Sequence, residues 1–165
     1  MRPPPEPVAV APRRLHTDKH RSILRITAAQ ARPLRHAILR PEQSPEACVY
    51  PGDDLASSAH FGAVIGDGEL VGVASVYNQN EDGEPDPFTW RLRGMATRED
   101  VRGHGYGAAL VSACVRYATD QGGLRLWCNG RTTVAEFYGR YGFEPRGEVF
   151  DLPGIGPHIV LERPL

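Results

Sequence analysis

The chain has 165 residues, 41% of them hydrophobic and 24% charged, which is the usage of one ordinary globular domain. Its formal net charge is −1, so no basic field is present to hold a nucleic-acid backbone, and no apolar stretch approaches the roughly 20 residues needed to span a bilayer. Three widely spaced cysteines, Cys48, Cys114 and Cys128, form neither a disulfide framework nor a CxxC metal site; they predict a reduced, cytoplasmic setting and no bound metal.

Residues 1–21 are Pro-rich, with charges and two histidines (His16, His20), and read as a disordered N-terminal tail without the apolar core of a secretory signal. A single domain is expected over 22–165. Ser22–Thr27 alternates as a first strand, and Thr27 is placed to cap a helix over Ala28–Leu39, with Pro33 delaying or kinking it. Ala59–Ile65 and Glu69–Tyr77 are two apolar, β-rich runs joined by an Asp67-Gly68 hairpin signal. Asn78–Pro87 is a polar loop. Thr89–Thr97 alternates, with Trp90, Leu92, Gly94 and Ala96 on one face and Arg91, Arg93, Met95 and Thr97 on the other. Tyr106–Asp120 carries the clearest helical stripe and stops at Gly122-Gly123. Leu124–Cys128 is a short strand. Thr133–Glu136 reads as a capping box opening a second helix with Val134, Phe137, Tyr138 and Tyr141 on one face and Gly142 as its stop. Two strands follow, from Phe143 and over His158–Glu162, joined by Gly154–Pro157. Runs of consecutive strands interrupted by helices predict an α/β architecture with a mostly antiparallel, mixed sheet and helices on its faces.

The sharpest signal is Arg102-Gly103-His104-Gly105-Tyr106-Gly107-Ala108, between a strand and a helix. Glycines let a ligand approach the backbone, and amides at a helix N-terminus favour an anion, so this turn predicts a pyrophosphate cradle with Arg102 adding a charge-assisted contact. The G-x-G-x-G spacing is neither the dinucleotide fingerprint nor a P-loop, which lacks here its Lys-Ser/Thr. The same turn without a ligand would be a tight strand–helix connection.

Strand, R-G-x-G-x-G/A and helix together resemble the acetyl-CoA motif of the GNAT N-acetyltransferase superfamily. Asn129, followed by Ala135-Glu-Phe-Tyr138 and Gly142-Phe143, resembles its second signature, and Gly147 to His158 resembles a branch of small bacterial members ending in G-I-x-P-H. The resemblance covers residues 22–165. It implies a GNAT fold with a sheet splayed at its centre and direct transfer of an acetyl group from acetyl-CoA to the primary amine of a small molecule or peptide, by a monomer or homodimer. Met95, Ala96 and Thr97 would offer backbone to the pantetheine arm, residues Arg102 to Ala108 would hold the pyrophosphate, and Asn129 would lie beside the pantetheine. Tyr138 would be the general acid that protonates the leaving thiolate.

Each assignment has a plainer counterpart. Tyr138 belongs to an apolar stripe that could be core, and Asn129 could be a strand-end turn residue. Cys128 lies beside the site but between apolar neighbours, which predicts a buried thiol rather than a nucleophile. Glu81, Glu84, Glu99, Glu148, His158 or a water could take the proton of the amine. The first helix and the loops at Pro41–Asp54 and Asn78–Pro87 are expected to shape the acceptor pocket. A non-catalytic acyl-CoA-binding module on the same fold is the alternative, and a protein that modifies nucleic acid is disfavoured by the charge.

Overall fold

The computed structural model describes residues 14–18, 21–66 and 68–165. Eight strands form one sheet in the order β1-β2-β3-β4-β5-β6-β8-β7: β1 Arg14–Asp18, β2 Arg21–Ile26, β3 Ala59–Ile65, β4 Glu69–Asn78, β5 Thr89–Thr97, β6 Arg125–Arg131, β7 Glu144–Leu152 and β8 Gly156–Pro164. Every neighbouring pair is antiparallel except β5 and β6, which run parallel. Strand β1 lies inside the segment read as a tail. It pairs with β2, and residues 1–13 lie outside the described residues. Asp67 of the expected hairpin turn also lies outside them.

Helix α2, Tyr106–Asp120, packs on one face of the sheet through Leu110, Val111, Cys114 and Ala118. It closes the main core over Phe61, Val71, Ala74, Val76, Leu92, Leu126 and Leu161. Helix α3, Ala135–Gly139, continues that layer. The other face carries α1, Ala28–Leu34, where Thr27 and Gln30 form a reciprocal capping box. Pro33 does not delay this helix. It lacks the amide that would continue the i to i−4 ladder, and the chain runs on as a π-turn over Arg35–Leu39.

The expected capping box at Thr133–Glu136 is absent. Thr132–Val134 instead forms a 3₁₀ turn, and α3 starts at Ala135 without a side-chain cap. The turn continues directly from β6, so the threonines lie inside it rather than at its entrance. Strand β6 extends past Cys128 to Arg131 because β8 pairs with it along its full length.

The most consequential departure is in β5. Val73 pairs with Ala96 and Ser75 with Arg93, so β5 carries one residue more than β4 between these pairs. The bulge centres on Gly94, whose φ of +67° suits glycine. It switches the alternation. Trp90 and Leu92 face α2, but Ala96 packs with Ala31 and Val73 on the α1 side, while Met95 packs toward α2. An unbroken period of two, assumed from the sequence, puts Ala96 with Trp90; the extra residue moves it to the other face.

Glycine at position 94 is required twice, by its backbone and by its neighbours. A Cβ there would lie 3.0 Å from Arg35 Nε and 3.1 Å from Tyr50 Cε2. Gly94→Ala is expected to lower unfolding free energy by about 1–3 kcal/mol in urea titrations, the cost of holding a non-glycine residue in a left-handed conformation with crowded neighbours.

Candidate active site

Strands β5 and β6 are hydrogen-bonded through only three residue pairs, Thr89–Arg125, Trp90–Leu126 and Arg91–Trp127. Beyond Arg91 the strands separate. The Gly94 bulge turns β5 toward β4, with Ala96 and Thr97 paired to Val73 and Gly72, and β6 follows β8 through Asn129. The edge of β5 that carries Met95, Ala96 and Thr97 therefore has no strand partner toward β6. A sheet split at its one parallel pair exposes two rows of backbone donors and acceptors, a cleft suited to an extended molecule with amides of its own.

The glycine-rich turn lies at the end of this cleft. Gly103 and Gly105 have φ of +81° and +84°, and Gly105 is the N-cap of α2. Among the described residues no side chain caps the helix and no acidic residue stands in its first turn, an arrangement in which the first-turn amides favour an anion. A Cβ at Gly103 would meet nothing within 4 Å, which is the openness an approaching phosphate needs. Gly107 has a different reason to be glycine: a Cβ there would lie 3.0 Å from Phe137 Cζ, so this residue lets α3 pack against α2. Arg102 is exposed and its Nε donates to the Thr97 carbonyl at 3.3 Å, tying the turn back to the end of β5. His104 is exposed, and Tyr106 is half-buried against the core.

Tyr138 is buried, with its ring edge-on to Phe137 and Phe143 at 5.1 and 5.4 Å. It is thus a core residue, as the stripe implied. Its phenol lies near the Cys128 thiol, and burial, with smaller contributions from Cys128 and Cys114, pushes it well above its ordinary value. It stays protonated throughout the neutral range. Burial also pushes the Cys128 thiol up to about 12, which leaves no thiolate for nucleophilic chemistry at neutral pH. Asn129 sits half-buried on β6, opposite Val160 of β8 and at the level where β5 has left.

The five candidate bases are scattered. Glu81 is paired with Arg125, Glu84 lies on an exposed loop, Glu99 on an exposed turn and Glu148 on the exposed face of β7. His158 is different. It is 4% exposed and lies opposite Arg131 on the α1 face of the sheet. Its Nδ1 lies 2.8 Å from the Gly156 carbonyl, which can only accept, so the neutral ring keeps its lone pair on Nε2.

The α1 face also holds a group of residues that no motif flagged. Arg35 is fully buried and donates to Asp53 Oδ2 at 2.8 Å and Oδ1 at 3.2 Å, to the Cys48 carbonyl at 3.0 Å and to Ser75 Oγ at 2.8 Å. Tyr77 donates to Asp53 Oδ1 at 2.5 Å, and the Tyr50 amide to Oδ2 at 3.0 Å. Burial alone would push the Asp53 carboxyl up, but the hydrogen bonds from Arg35 and Tyr77 outweigh it and hold the group at about 2. His60 spans the same network. Nε2 donates to the Asp53 carbonyl at 2.9 Å, and Nδ1 lies 2.6 Å from Ser75 Oγ and 3.3 Å from Arg35. Burial pushes the His60 ring down, and the Arg35 guanidinium beside Nδ1 adds to the effect against the opposing hydrogen bond to the Asp53 carbonyl. Next to this network lie Arg91, over the Trp127 ring at 4.8 Å, and Arg93, over the Tyr50 ring at 4.0 Å. One signal in the sequence could have found them: arginines at alternate positions of a strand that a mixed sheet must bury on both faces.

The sequence pattern of the Acetyltransferase (GNAT) family matches residues 25–143. The chain belongs to the GNAT acetyltransferase family. The Bacillus subtilis protein named uncharacterized N-acetyltransferase YitI is 40% identical over 132 residues, covering 80% of this chain and 88% of that relative. Among solved structures, Escherichia coli ElaA superposes with a TM-score of 0.69 at 21% identity, covering 87% of this chain and 97% of ElaA. A GNAT acetyltransferase from Elizabethkingia anophelis with acetyl-CoA bound superposes with a TM-score of 0.64 at 19% identity, covering 90% of this chain and all of that one. The fold expected from the two signatures is the fold observed, and the protein is an acyltransferase of the GNAT family.

Two tests follow from the buried network. Asp53→Asn leaves the Arg35 guanidinium without its counter-ion and is expected to cost about 3–5 kcal/mol of unfolding free energy in urea. In the wild type, stability falls on acidification in two stages. Below about pH 6.5 the unfolded chain binds a proton that folded His60 does not. Below about pH 4 the unfolded Asp53 is protonated before the folded one, and this contribution is lost as pH falls toward 2. Urea midpoints at pH 7.5, 5.5 and 3.5 check both steps, and His60→Gln is expected to remove the upper one.

Proposed function

We propose that the protein transfers an acetyl group from acetyl-CoA to a primary amine, with the pantetheine arm in the β5–β6 cleft and the pyrophosphate on the glycine-rich turn. The observation that carries this reading is the coincidence of two independent features along one line. The strands separate beyond Arg91, and a helix N-terminus with left-handed glycines and no acidic residue in its first turn lies at the end of the same strand. The first accepts an extended amide-bearing arm, the second a diphosphate. Met95, Ala96 and Thr97 offer backbone to the arm, residues Arg102, Gly103, His104, Gly105, Tyr106, Gly107 and Ala108 surround the diphosphate, and Asn129 faces the arm from β6. When bound, acetyl-CoA supplies the activated acyl carbon: the amine's lone pair forms the C–N bond while the C–S bond breaks and the thiolate leaves.

The chain's own groups handle the two protons. Tyr138, protonated at neutral pH and in the core beneath β6, gives its proton to the leaving sulfur. His158 takes the proton of the attacking amine at Nε2, because it alone of the five candidates is buried on the face opposite Tyr138 with an available lone pair. Acid and base then act from opposite faces of the sheet, the phenol on the leaving sulfur and the imidazole on the amine. The acceptor enters on the α1 face, between the 41–54 loop, which supplies Tyr50, and the 78–87 loop, whose Gln79 accepts from Arg91 at 3.0 Å.

Calorimetry with coenzyme A is expected to show binding, weakened by Gly103→Val, which adds a strained side chain where the diphosphate rests. With coenzyme binding intact, Tyr138→Phe is expected to lower kcat by about 10²- to 10⁴-fold. Coenzyme binding at wild-type strength in Gly103→Val would argue against the assigned cradle.

A further inference from the structure

Three guanidiniums converge on the α1 face beside the cleft, those of Arg35, Arg91 and Arg93. A single carboxylate, Asp53, stands among them, and Arg35 takes both of its oxygens. Arg93 makes no hydrogen bond or ion pair among the described residues; its guanidinium lies over the Tyr50 ring, which Arg35 also faces at 4.4 Å. Arg91 reaches Gln79, a neutral amide, and its Nε is buried with no partner. Burial, and then the charge of Arg93, push the Arg91 guanidinium down to about 10, and burial pushes Arg93 down as well.

These two arginines stand at alternate positions of one strand and therefore on one face, roughly 7 Å apart along it. Half-burying two like charges there is unfavourable unless something of opposite charge completes the set. Nothing in the described chain does. Arg93 is also the first residue of its face beyond the last β5–β6 pair, so it stands where the cleft begins, on the side from which the acceptor enters. Tyr50 and Trp127 hold the two guanidiniums over their rings at 4.0 and 4.8 Å, and no acceptor among the described residues takes an N–H of Arg93. The N–H edge of a guanidinium matches a carboxylate in two parallel hydrogen bonds.

We propose that Arg91 and Arg93 form an anion subsite, and that the acceptor is a small primary amine bearing a carboxylate, such as a free amino acid. This rests on the acetyl-transfer reading and adds the acceptor class to it. Arg93 makes the main contact, and Arg91, tethered by Gln79 and Trp127, supports it. The subsite selects the acceptor by charge and sets its amine toward the cleft.

The test pairs each of a panel of amino acids with its carboxamide, which keeps the amine and removes the negative charge. Coenzyme A release is followed with a thiol reagent, and coenzyme binding by calorimetry. Carboxylates are expected to exceed their carboxamides in kcat/KM by about 10- to 100-fold, the scale of one lost charge-assisted contact. Arg93→Gln is expected to raise KM for the carboxylates by a similar factor, to abolish the preference and to leave coenzyme affinity unchanged; Arg93→Lys restores part of it. A second reading needs no turnover: a carboxylate acceptor added with coenzyme A raises the melting temperature of the wild type but not of Arg93→Gln. Arg91→Gln is expected to shift both readouts in the same direction and serves if Arg93→Gln does not fold. Equal use of carboxylates and carboxamides, or an Arg93→Gln protein that retains the preference, overturns the anion subsite while leaving acetyl transfer intact. Absence of coenzyme binding in the wild type overturns the reading beneath it.

Discussion

The structure depends on the separation of two parallel strands that begin as partners. Breaking a sheet in its middle leaves backbone groups without their ladder, a cost that native proteins avoid unless the gap is used. Here the gap is built in from both sides. On β5 the extra residue at Gly94 bends the strand toward β4. On β6 full pairing with β8 carries the chain away, and Arg131 at its end donates to the Leu39 carbonyl at 3.1 Å, anchoring it to the π-turn. Neither strand can return without giving up pairing already made elsewhere.

The Arg35–Asp53 network serves the same separation. Arg35 comes from the π-turn after α1, Asp53 from the following loop, His60 from β3, and Ser75 and Tyr77 from β4, so one guanidinium ties the π-turn and the loop to two strands of the sheet. It also abuts the bulge, since Arg35 Nε and Tyr50 occupy the space a Cβ at Gly94 would need. The π-turn itself has a use in this light. It sets Arg35 over the sheet just after a proline that ends the ordinary helical ladder. An ion pair buried this completely contributes more to uniqueness than to stability. It admits one placement of the 41–54 loop, and that loop brings Tyr50 to the acceptor face.

How much of this could be read from the sequence differed by element. β5 and α2 were found to the residue, because each has one strong period and a glycine or polar boundary. The two-part signature was legible because its chemistry needs glycines at fixed places. What could not be read has physical reasons. The bulge at Gly94 inverts an alternation that the sequence shows as unbroken, and only pairing with β4 reveals it. The capping box at Thr133 has the right letters but is consumed by a 3₁₀ turn continuing from β6. Arg35 and Asp53 are separated by a loop with no periodicity, so nothing local announces that they meet.

Arg91 and Arg93 show most clearly how topology changes the meaning of a residue. On an isolated strand, arginines alternating with Trp90 and Leu92 are an ordinary solvated face. In a sheet with helices on both sides the outward face of a central strand is another interior, and charge placed there must be answered. For Arg35 the answer is Asp53, from the same chain. For the pair on β5 no carboxylate among the described residues arrives, although the Tyr50 and Trp127 rings lie against them. Aromatic rings stabilise a cation without neutralising it, so they hold the guanidiniums in place and leave the field unquenched. The same bulge that parts the strands also ends the run of arginines, because after Gly94 that face passes to the small, apolar Ala96. Charge therefore stops where the cleft opens, which puts the positive field beside the reaction line and an uncharged wall along it.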